Sequence, residues 1–273
     1  MNTSRRKISI IGCGWLGLPL GAFLVEKGFD IKGSTTSEDK LPILADLNIQ
    51  PFLIKAGDKL EGENLPDFFD TDILIINIPP RRRRTDVETR HFAEVKNIID
   101  AAVEGSIQKV IFCSSTGIYA DENKIVFETD SPNPQTDSTR ALVEIENYLL
   151  SKNSLQSTIL RFSGLIGGDR KAGRFLAGKK NIPNGMAPVN LVHREDCIRV
   201  IYEIIRQNIW NEFFNVCADE HPTRKDFYTQ QALKQGFELP EFLEEDKAVF
   251  KIVSNQKLKA RLGYVFGSLN ELD

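Results

Sequence analysis

The run Lys7-Ile8-Ser9-Ile10-Ile11 concentrates β-branched residues and ends in glycine, as a buried parallel strand does. Leu16, Leu20, Phe23 and Leu24 then fall at helical spacing, and Gly28 stops that helix. Phe29–Gly33 reads as a second strand, Glu38–Leu47 as a helix and Pro51–Ile54 as a short third strand. Ile73–Ile78 is the clearest strand of the chain, stopped by Pro79-Pro80. A long amphipathic helix follows, with Val95, Ile98, Ile99 and Ala102 on one side. Lys109–Cys113 is strand again, Ala141–Leu150 helix and Ser157–Phe162 strand. Strands alternating with helices at this spacing predict βαβ units and an α/β protein built on a doubly wound parallel sheet.

Beyond residue 163 the pattern loosens. Gly164, Gly167, Gly168, Gly173 and Gly178 predict winding loops, followed by a helix near Arg194–Gln207 and a strand at Phe213–Cys217. From Pro222 onward the chain reads as mostly helical. The expected organisation is a nucleotide-binding core over residues 1–162. Residues 163–273 then supply one further strand and helix of that core plus a small C-terminal substrate lobe, without an independent second domain.

Composition narrows the function classes. The 273 residues are 41% hydrophobic, enough for a substantial core, and 35 basic against 38 acidic side chains leave a net charge of −3. That balance disfavours a dedicated nucleic-acid binder. The four cysteines, Cys13, Cys113, Cys197 and Cys217, are far apart, lie in apolar stretches and lack metal-ligand spacing, so they read as free thiols in a reducing compartment. Arg5-Arg6-Lys7 ahead of an apolar run superficially suggests a signal segment. Only four residues separate Lys7 from Gly12, fewer than the run of about 7–15 that such a segment needs. No stretch is long and apolar enough for a bilayer. A cytoplasmic protein is expected, with neither membrane nor nucleic acid as partner.

Gly12-Cys13-Gly14-Trp15-Leu16-Gly17 is a G-x-G-x-x-G placed between a strand and a helix, the context that turns a weak pattern into a dinucleotide-binding, Rossmann-type loop. Gly12 makes the tight turn, Gly14 lets the backbone approach a pyrophosphate and Gly17 allows close helix–strand packing, with the helix dipole facing the phosphates. Sites that select NAD place Asp or Glu about 20 residues on. Here the second strand ends in Ser34-Thr35-Thr36-Ser37, with Asp30 too early and Glu38 and Asp39 starting the next helix. Hydroxyls without a carboxylate favour NADP over NAD, and Ser37 also suits a helix N-cap.

Residues 112–121, Phe-Cys-Ser-Ser-Thr-Gly-Ile-Tyr-Ala-Asp, resemble the strand-end Ser-Ser-x-x-x-Tyr segment of the extended short-chain dehydrogenase/reductase superfamily, which includes sugar-nucleotide epimerases and dehydratases. Leu160–Gly167 is similar to that family's strand and Gly-rich loop beside the nicotinamide, and Asn190–Asp196 to its Asn-x-x-His-x-x-Asp segment. Asn215-Val216, Lys257-Leu258 and Leu262-Gly263-Tyr264 resemble its C-terminal landmarks, so the likeness runs over about residues 7–266. It implies NADP or NAD as cofactor, and a small-molecule substrate, anionic or a nucleotide sugar. The expected cofactor-lining set is Gly12, Gly14, Trp15, Leu16 and Gly17, then Ser34, Thr35, Thr36 and Ser37, then Asn77, Ile78, Pro79 and Ser114, with Arg140.

Two departures from the family pattern stand out. The glycine loop is the G-x-G-x-x-G of an atypical subgroup. The family's Tyr-x-x-x-Lys, followed four residues later by Glu, is missing: anchored on Glu144, Arg140 takes the Lys position and Thr136 the Tyr position. A phenol can be brought toward useful acidity by a neighbouring ammonium, whereas threonine does not ionise that way and arginine does not give up its proton. The candidate catalytic residues are therefore Ser115, matching the family's serine, with Thr136 and Arg140, and Tyr119 as a substitute acid of lower standing. Arg81–Arg84 follow the fourth strand and read either as a solvated basic loop or as a clamp for a substrate anion. His193 is expected to brace the loop before the Arg194 helix, no metal site is expected, and Thr223–Asp226 caps a helix start. His221 and Arg224 are similar to a subgroup feature of underived role. An oxidoreductase or epimerase-like enzyme is expected, with a non-catalytic NADP(H) sensor as the alternative.

Overall fold

Apolar β-branched segments become the central strands. In a computed structural model, which describes residues 5–80, 86–244 and 248–269, β1 is Lys7–Ile11 and its helix α1 is Gly17–Glu26. The chain continues through β2 (Asp30–Thr35), α2 (Leu41–Asp46), β3 (Gln50–Ala56), β4 (Leu60–Gly62), α3 (Leu65–Phe69) and β5 (Ile73–Ile76). Then come α4 (Val87–Glu104), β6 (Lys109–Ser115), β7 (Lys124–Val126), α5 (Asp137–Leu150), β8 (Gln156–Phe162), β9 (Gly164–Ile166) and β10 (Leu191–His193). The last elements are α6 (Arg194–Gln207), β11 (Phe213–Val216), α7 (Arg224–Lys234), β12 (Lys251–Val253) and α8 (Gln256–Leu262).

The main sheet has eight strands in the order β11-β8-β6-β5-β1-β2-β3-β4. β1 pairs in parallel with β2 and β5, β2 with β3, and β5 with β6, while β4 closes its edge antiparallel to β3. Ile73, Leu74, Ile75 and Ile76 are all fully buried, as a strand covered on both faces requires. The order reverses between β1 and β5, so the loops leaving those two strands lie side by side at the carboxyl edge, where open α/β sheets bind ligands. The doubly wound sheet expected from the alternation is present.

By contact density the chain forms two compact units. One comprises Met1–Ile118, Pro134–Leu160 and Ile201–Phe213; the other comprises Tyr119–Asn133, Arg161–Val200 and Phe214–Asp273. Within the second unit, β9 pairs with β10 and β12 with β7, each in parallel. The expectation of a mostly helical stretch from Pro222 is corrected here. Only α7 and α8 are helical among its described residues, and β12 lies between them. Gly236, with φ of +73°, follows the end of α7. Asn190 then holds β12 like a strand neighbour: its Nδ2 donates to the Lys251 carbonyl (2.9 Å) and its Oδ1 accepts from the Val253 amide (2.8 Å). These partners are remote in sequence, so no local periodicity announces them.

All four cysteines are free thiols. Burial pushes the thiols of Cys13 and Cys217 up to about 12, from 9.0. The unfolded chain therefore releases these protons before the folded one, and stability falls as pH rises from about 9 toward 12, by about 1.4 kcal/mol per pH unit for each thiol. Urea unfolding at pH 8 and pH 10.5 should show that loss, and Cys13→Ala/Cys217→Ala should reduce it, leaving the share of Cys113, whose thiol burial also pushes up to about 12. A parent profile that stays flat above pH 9 counts against the burial of these thiols. No helix among the described residues is long and apolar enough to cross a membrane.

Candidate functional site

The glycine loop is built from three glycines with three different reasons to be glycine. Gly12 has φ of +100°, and a Cβ on it would sit 2.5 Å from the Asn77 carbonyl oxygen. A Cβ on Gly17 would sit 2.3 Å from the Gly12 carbonyl oxygen. Both are demanded by backbone packing. Gly14 is different: its φ is ordinary and a Cβ there would meet nothing within 4 Å. No fold requirement of the chain accounts for it, and the open space beside it is where a pyrophosphate would approach.

The strands on either side hold this loop. Asn77, just past β5, donates from its Nδ2 to the Gly12 carbonyl at 3.1 Å, and its own amide bonds the Ile11 carbonyl at 2.9 Å. On the other side Ser34 accepts from the Gly12 amide through Oγ (3.0 Å) and from the Cys13 amide through its carbonyl (2.8 Å). Leu16 stands at the N-cap of α1 without a side-chain cap, and no acidic residue lies in the first turn. The positive end of the helix dipole is thus left for an anion. Trp15 is half-buried and Leu16 buried; Ile78 is half-buried and Pro79 exposed.

The hydroxyls after β2 are unequal. Ser34 is buried and engaged with the loop, and Thr35, also buried, accepts from the Ser37 amide at 3.2 Å. Thr36 is exposed and Ser37 half-buried. Ser37 does occupy the N-cap position of the 3-10 turn Glu38–Lys40, yet its side chain makes no cap bond. Asp30 begins β2, at the end of the sheet opposite the loop, so it is no ribose ligand.

At the end of β6, Ser114 donates to Glu146 Oε1 at 2.6 Å, with both residues buried. Ser115 Oγ accepts from the Gly117 amide at 3.1 Å. Thr136 serves as the N-cap of α5: its Oγ1 accepts from the Thr139 amide (3.3 Å) and its own amide donates to Thr139 Oγ1 (3.1 Å), a capping box. Arg140 Nε donates to Glu88 Oε2 at 2.9 Å, and a second nitrogen pairs with Asp137. Glu144, the sequence anchor for the Tyr and Lys positions, is exposed, and Glu146 is the glutamate that faces β6. Counting the same spacing from Glu146 puts Ser138 and Leu142 where Thr136 and Arg140 were expected.

The sequence itself marks Glu146 as inward-facing. It shares the inward stripe of Leu142, Ile145 and Leu149 at helical spacing, so a carboxylate there faces the sheet.

In the second unit, Tyr119 is buried with its hydroxyl donating to Asn215 Oδ1 (3.0 Å) and accepting from Arg161 (2.6 Å). Arg161, 4% exposed, also reaches the Glu128 carbonyl at 3.4 Å, and the Asn215 amide bonds Glu128 Oε1 at 2.8 Å. This corrects the reading of Tyr119 as a substitute acid, because its hydroxyl is committed to a buried network. His193 stacks against Gly167, where a Cβ would lie 2.2 Å from Nε2, and its Nδ1 accepts from the Glu195 amide at 3.3 Å. It braces the loop, as expected. Asp196 accepts from the Tyr264 hydroxyl at 2.7 Å, and burial raises its pKa above the ordinary carboxylate value. Thr223 caps α7 through the Asp226 amide (3.1 Å). His221 Nδ1 lies 3.0 Å from the Val189 carbonyl, and Arg224 donates to the Pro183 carbonyl at 3.3 Å. Arg81–Arg84 lie outside the described residues. Among the described residues no group of three or more His, Cys, Asp or Glu could hold a metal ion.

A doubly wound sheet whose glycine loop leaves one glycine open at the switch point defines a dinucleotide-binding protein. The chain belongs to the NAD(P)H-binding family, which matches residues 12–208. It is similar to protein YeeZ of Escherichia coli (strain K12), 35% identical over 264 residues that cover 96% of both chains. The solved structure of MoeE5 in complex with UDP-glucose and NAD superposes with a TM-score of 0.80 at 14% identity, covering 97% of this chain and 95% of that one. The UDP-glucose 4-epimerase of Thermotoga maritima with UDP-glucose does so at 0.79 and 20%, covering 97% and 96%.

Proposed function

We propose that the protein is an NADP(H)-dependent enzyme of oxidoreductase or epimerase type, acting on a small anionic substrate such as a nucleotide sugar in the cytoplasm. The observation that carries the cofactor half is Gly14, open to 4 Å in an ordinary backbone conformation between two glycines that packing demands. The dinucleotide would lie on the Gly12–Gly17 loop, braced by Ser34 and Asn77, and when bound it supplies or takes up a hydride at its nicotinamide. Ser115, at the carboxyl end of β6, would hydrogen-bond a substrate carbonyl or hydroxyl. The structures of MoeE5 and the Thermotoga epimerase with UDP-glucose support the nucleotide-sugar class.

The residues at the family's Tyr and Lys positions offer no phenol–ammonium pair. The pair that does form, Tyr148 with Lys152 Nζ 4.1 Å from its ring centre, lies at the far end of α5 from Thr136 with the phenol bonded to Asp100. Thr136 is spent on the cap of α5, Arg140 on two carboxylates and Tyr119 on Arg161 and Asn215. The proton would then come from water or from the substrate itself. Consumption of NADPH against a panel of carbonyl compounds and sugar nucleotides tests this. Ser115→Ala should abolish turnover. Thr136→Ala should keep it and cost about 1 kcal/mol of stability through the lost cap. If Thr136→Ala alone removes turnover at intact nucleotide binding, the threonine belongs to a proton relay and this account fails. The second reading, a non-catalytic NADP(H) sensor, draws on the same committed hydroxyls and on Ser138 and Leu142 at the counted positions. NADPH binding without turnover on any substrate would favour it.

A further inference from the structure

At the carboxyl ends of β2 and β3, in the same compact unit as the glycine loop, a hollow is lined by Thr36, Lys55, Asp58, Lys59, Glu61 and Arg90. Its rim is held in place. Asn97 of α4 donates through Nδ2 to the carbonyls of Gly57 (2.9 Å) and Asp58 (3.1 Å), and the Gly57 amide bonds the Lys59 carbonyl at 3.1 Å. The two lysines on this rim are exposed, and neither side chain has an ion-pair partner among the described residues. Glu61 stands opposite Lys55 in the β3–β4 register without bonding it. Arg90 keeps its Nε buried and without a hydrogen bond among the described residues, with Glu94 Oε1 at 3.5 Å and Asp86 Oδ2 at 4.0 Å from its guanidinium.

We propose that Lys55 and Lys59, seconded by Arg90, read the 2′-phosphate of the cofactor and set the preference for NADP(H). The inference rests on the dinucleotide reading above. With the pyrophosphate on the loop after β1, the adenosine ribose reaches the end of β2, and Thr36 there is a wall of the hollow. β3 is the next strand, about 4.8 Å away, so Lys55 and Lys59 stand within side-chain reach of a group on that ribose. Arg90 shares its charge with Glu94 and Asp86, whereas Lys55 and Lys59, beside Asp58 and Glu61 on the wall of the hollow, make no ion pair among the described residues. A dianionic phosphate gains from that charge; a 2′-hydroxyl does not. The selecting charge thus comes from the β3–β4 turn and α4, instead of the residues directly after β2.

The test is calorimetric titration of NADPH, NADH, 2′,5′-ADP and 5′-AMP into the parent, Lys55→Gln/Lys59→Gln and Arg90→Gln, with circular dichroism to confirm that each is folded. The parent should bind NADPH at least about tenfold more tightly than NADH, and 2′,5′-ADP more tightly than 5′-AMP. The double variant should lose most of that preference while NADH affinity stays within about twofold, with Arg90→Gln showing a smaller loss in the same direction. Raising the salt concentration should weaken NADPH more than NADH in the parent only. Equal affinities in the parent, or a preference unchanged in the double variant, overturn the assignment and leave the glycine-loop reading intact. Absence of any nucleotide binding to the folded parent overturns the glycine-loop reading, and this inference with it.

Discussion

Gly14→Val should fold like the parent and bind no dinucleotide. The structure makes the two halves of this result separable. A Cβ at residue 14 meets no atom within 4 Å and the backbone there is not left-handed, so the fold has no objection to a side chain. The branched valine would instead fill the space through which a pyrophosphate approaches the loop amides. Loss of contact between the phosphates and the helix N-terminus should weaken binding by about a hundredfold or more. Gly12→Val is the contrasting control. At φ of +100° and 2.5 Å from the Asn77 carbonyl it strains the backbone and parts β1 from β5, so it should lose stability as well as binding. Nucleotide fluorescence titration and thermal melting read the two effects. A Gly14→Val variant that binds NADPH as the parent does would refute the assignment of the loop.

Arg161→Ala is expected to be the most destabilising polar substitution in the second unit. Arg161 is buried and bonds both the Tyr119 hydroxyl and the Glu128 carbonyl, and its guanidinium lies 5.3 Å from the centre of the Tyr119 ring. Removing it leaves the buried Tyr119 hydroxyl and the half-buried Glu128 carbonyl without their charged donor and opens a cavity, at about 3–5 kcal/mol. Tyr119→Phe removes one hydroxyl and leaves Asn215 Oδ1 without its donor, for about 1–3 kcal/mol. The pair separates structure from chemistry. Tyr119→Phe should lower the urea midpoint and leave turnover per folded molecule unchanged, whereas a tyrosine acting as an acid would lose turnover at normal nucleotide affinity.

Much of the site could be read along the chain because its pieces are local. The strand Lys7–Ile11, the three glycines and the helix beginning at Gly17 are contiguous, and the role of Gly17 follows from the backbone geometry of that one turn, whereas Gly12 is fixed also by the Asn77 carbonyl beyond β5. The boundaries Arg194–Gln207 of α6 were equally plain, since an amphipathic helix announces itself at every third or fourth residue. The catalytic register was harder. Glu144 and Glu146 both satisfy a short spacing pattern, and only the inward stripe of α5 and the bond to Ser114 distinguish them.

Other features depend on residues that meet only in the fold. Tyr119, Arg161 and Asn215 come from three separate segments, and each alone looks like an ordinary polar residue beside a strand. β12 exists because Asn190 and β7 supply bonds that a tripeptide cannot supply to itself. The hollow at Thr36, Lys55, Lys59 and Arg90 joins two strand ends and a helix. Sequence periodicity and glycine spacing act within one turn or one strand, over a few residues, so the alternating strands and helices and the phosphate loop were specified locally, whereas the pairing of β1 with β5 that makes the switch point was not. Which hydroxyls are committed, and where unpaired charge collects, depends on distances across the folded chain. No short-range pattern encodes those distances, and the packing of the core settles them.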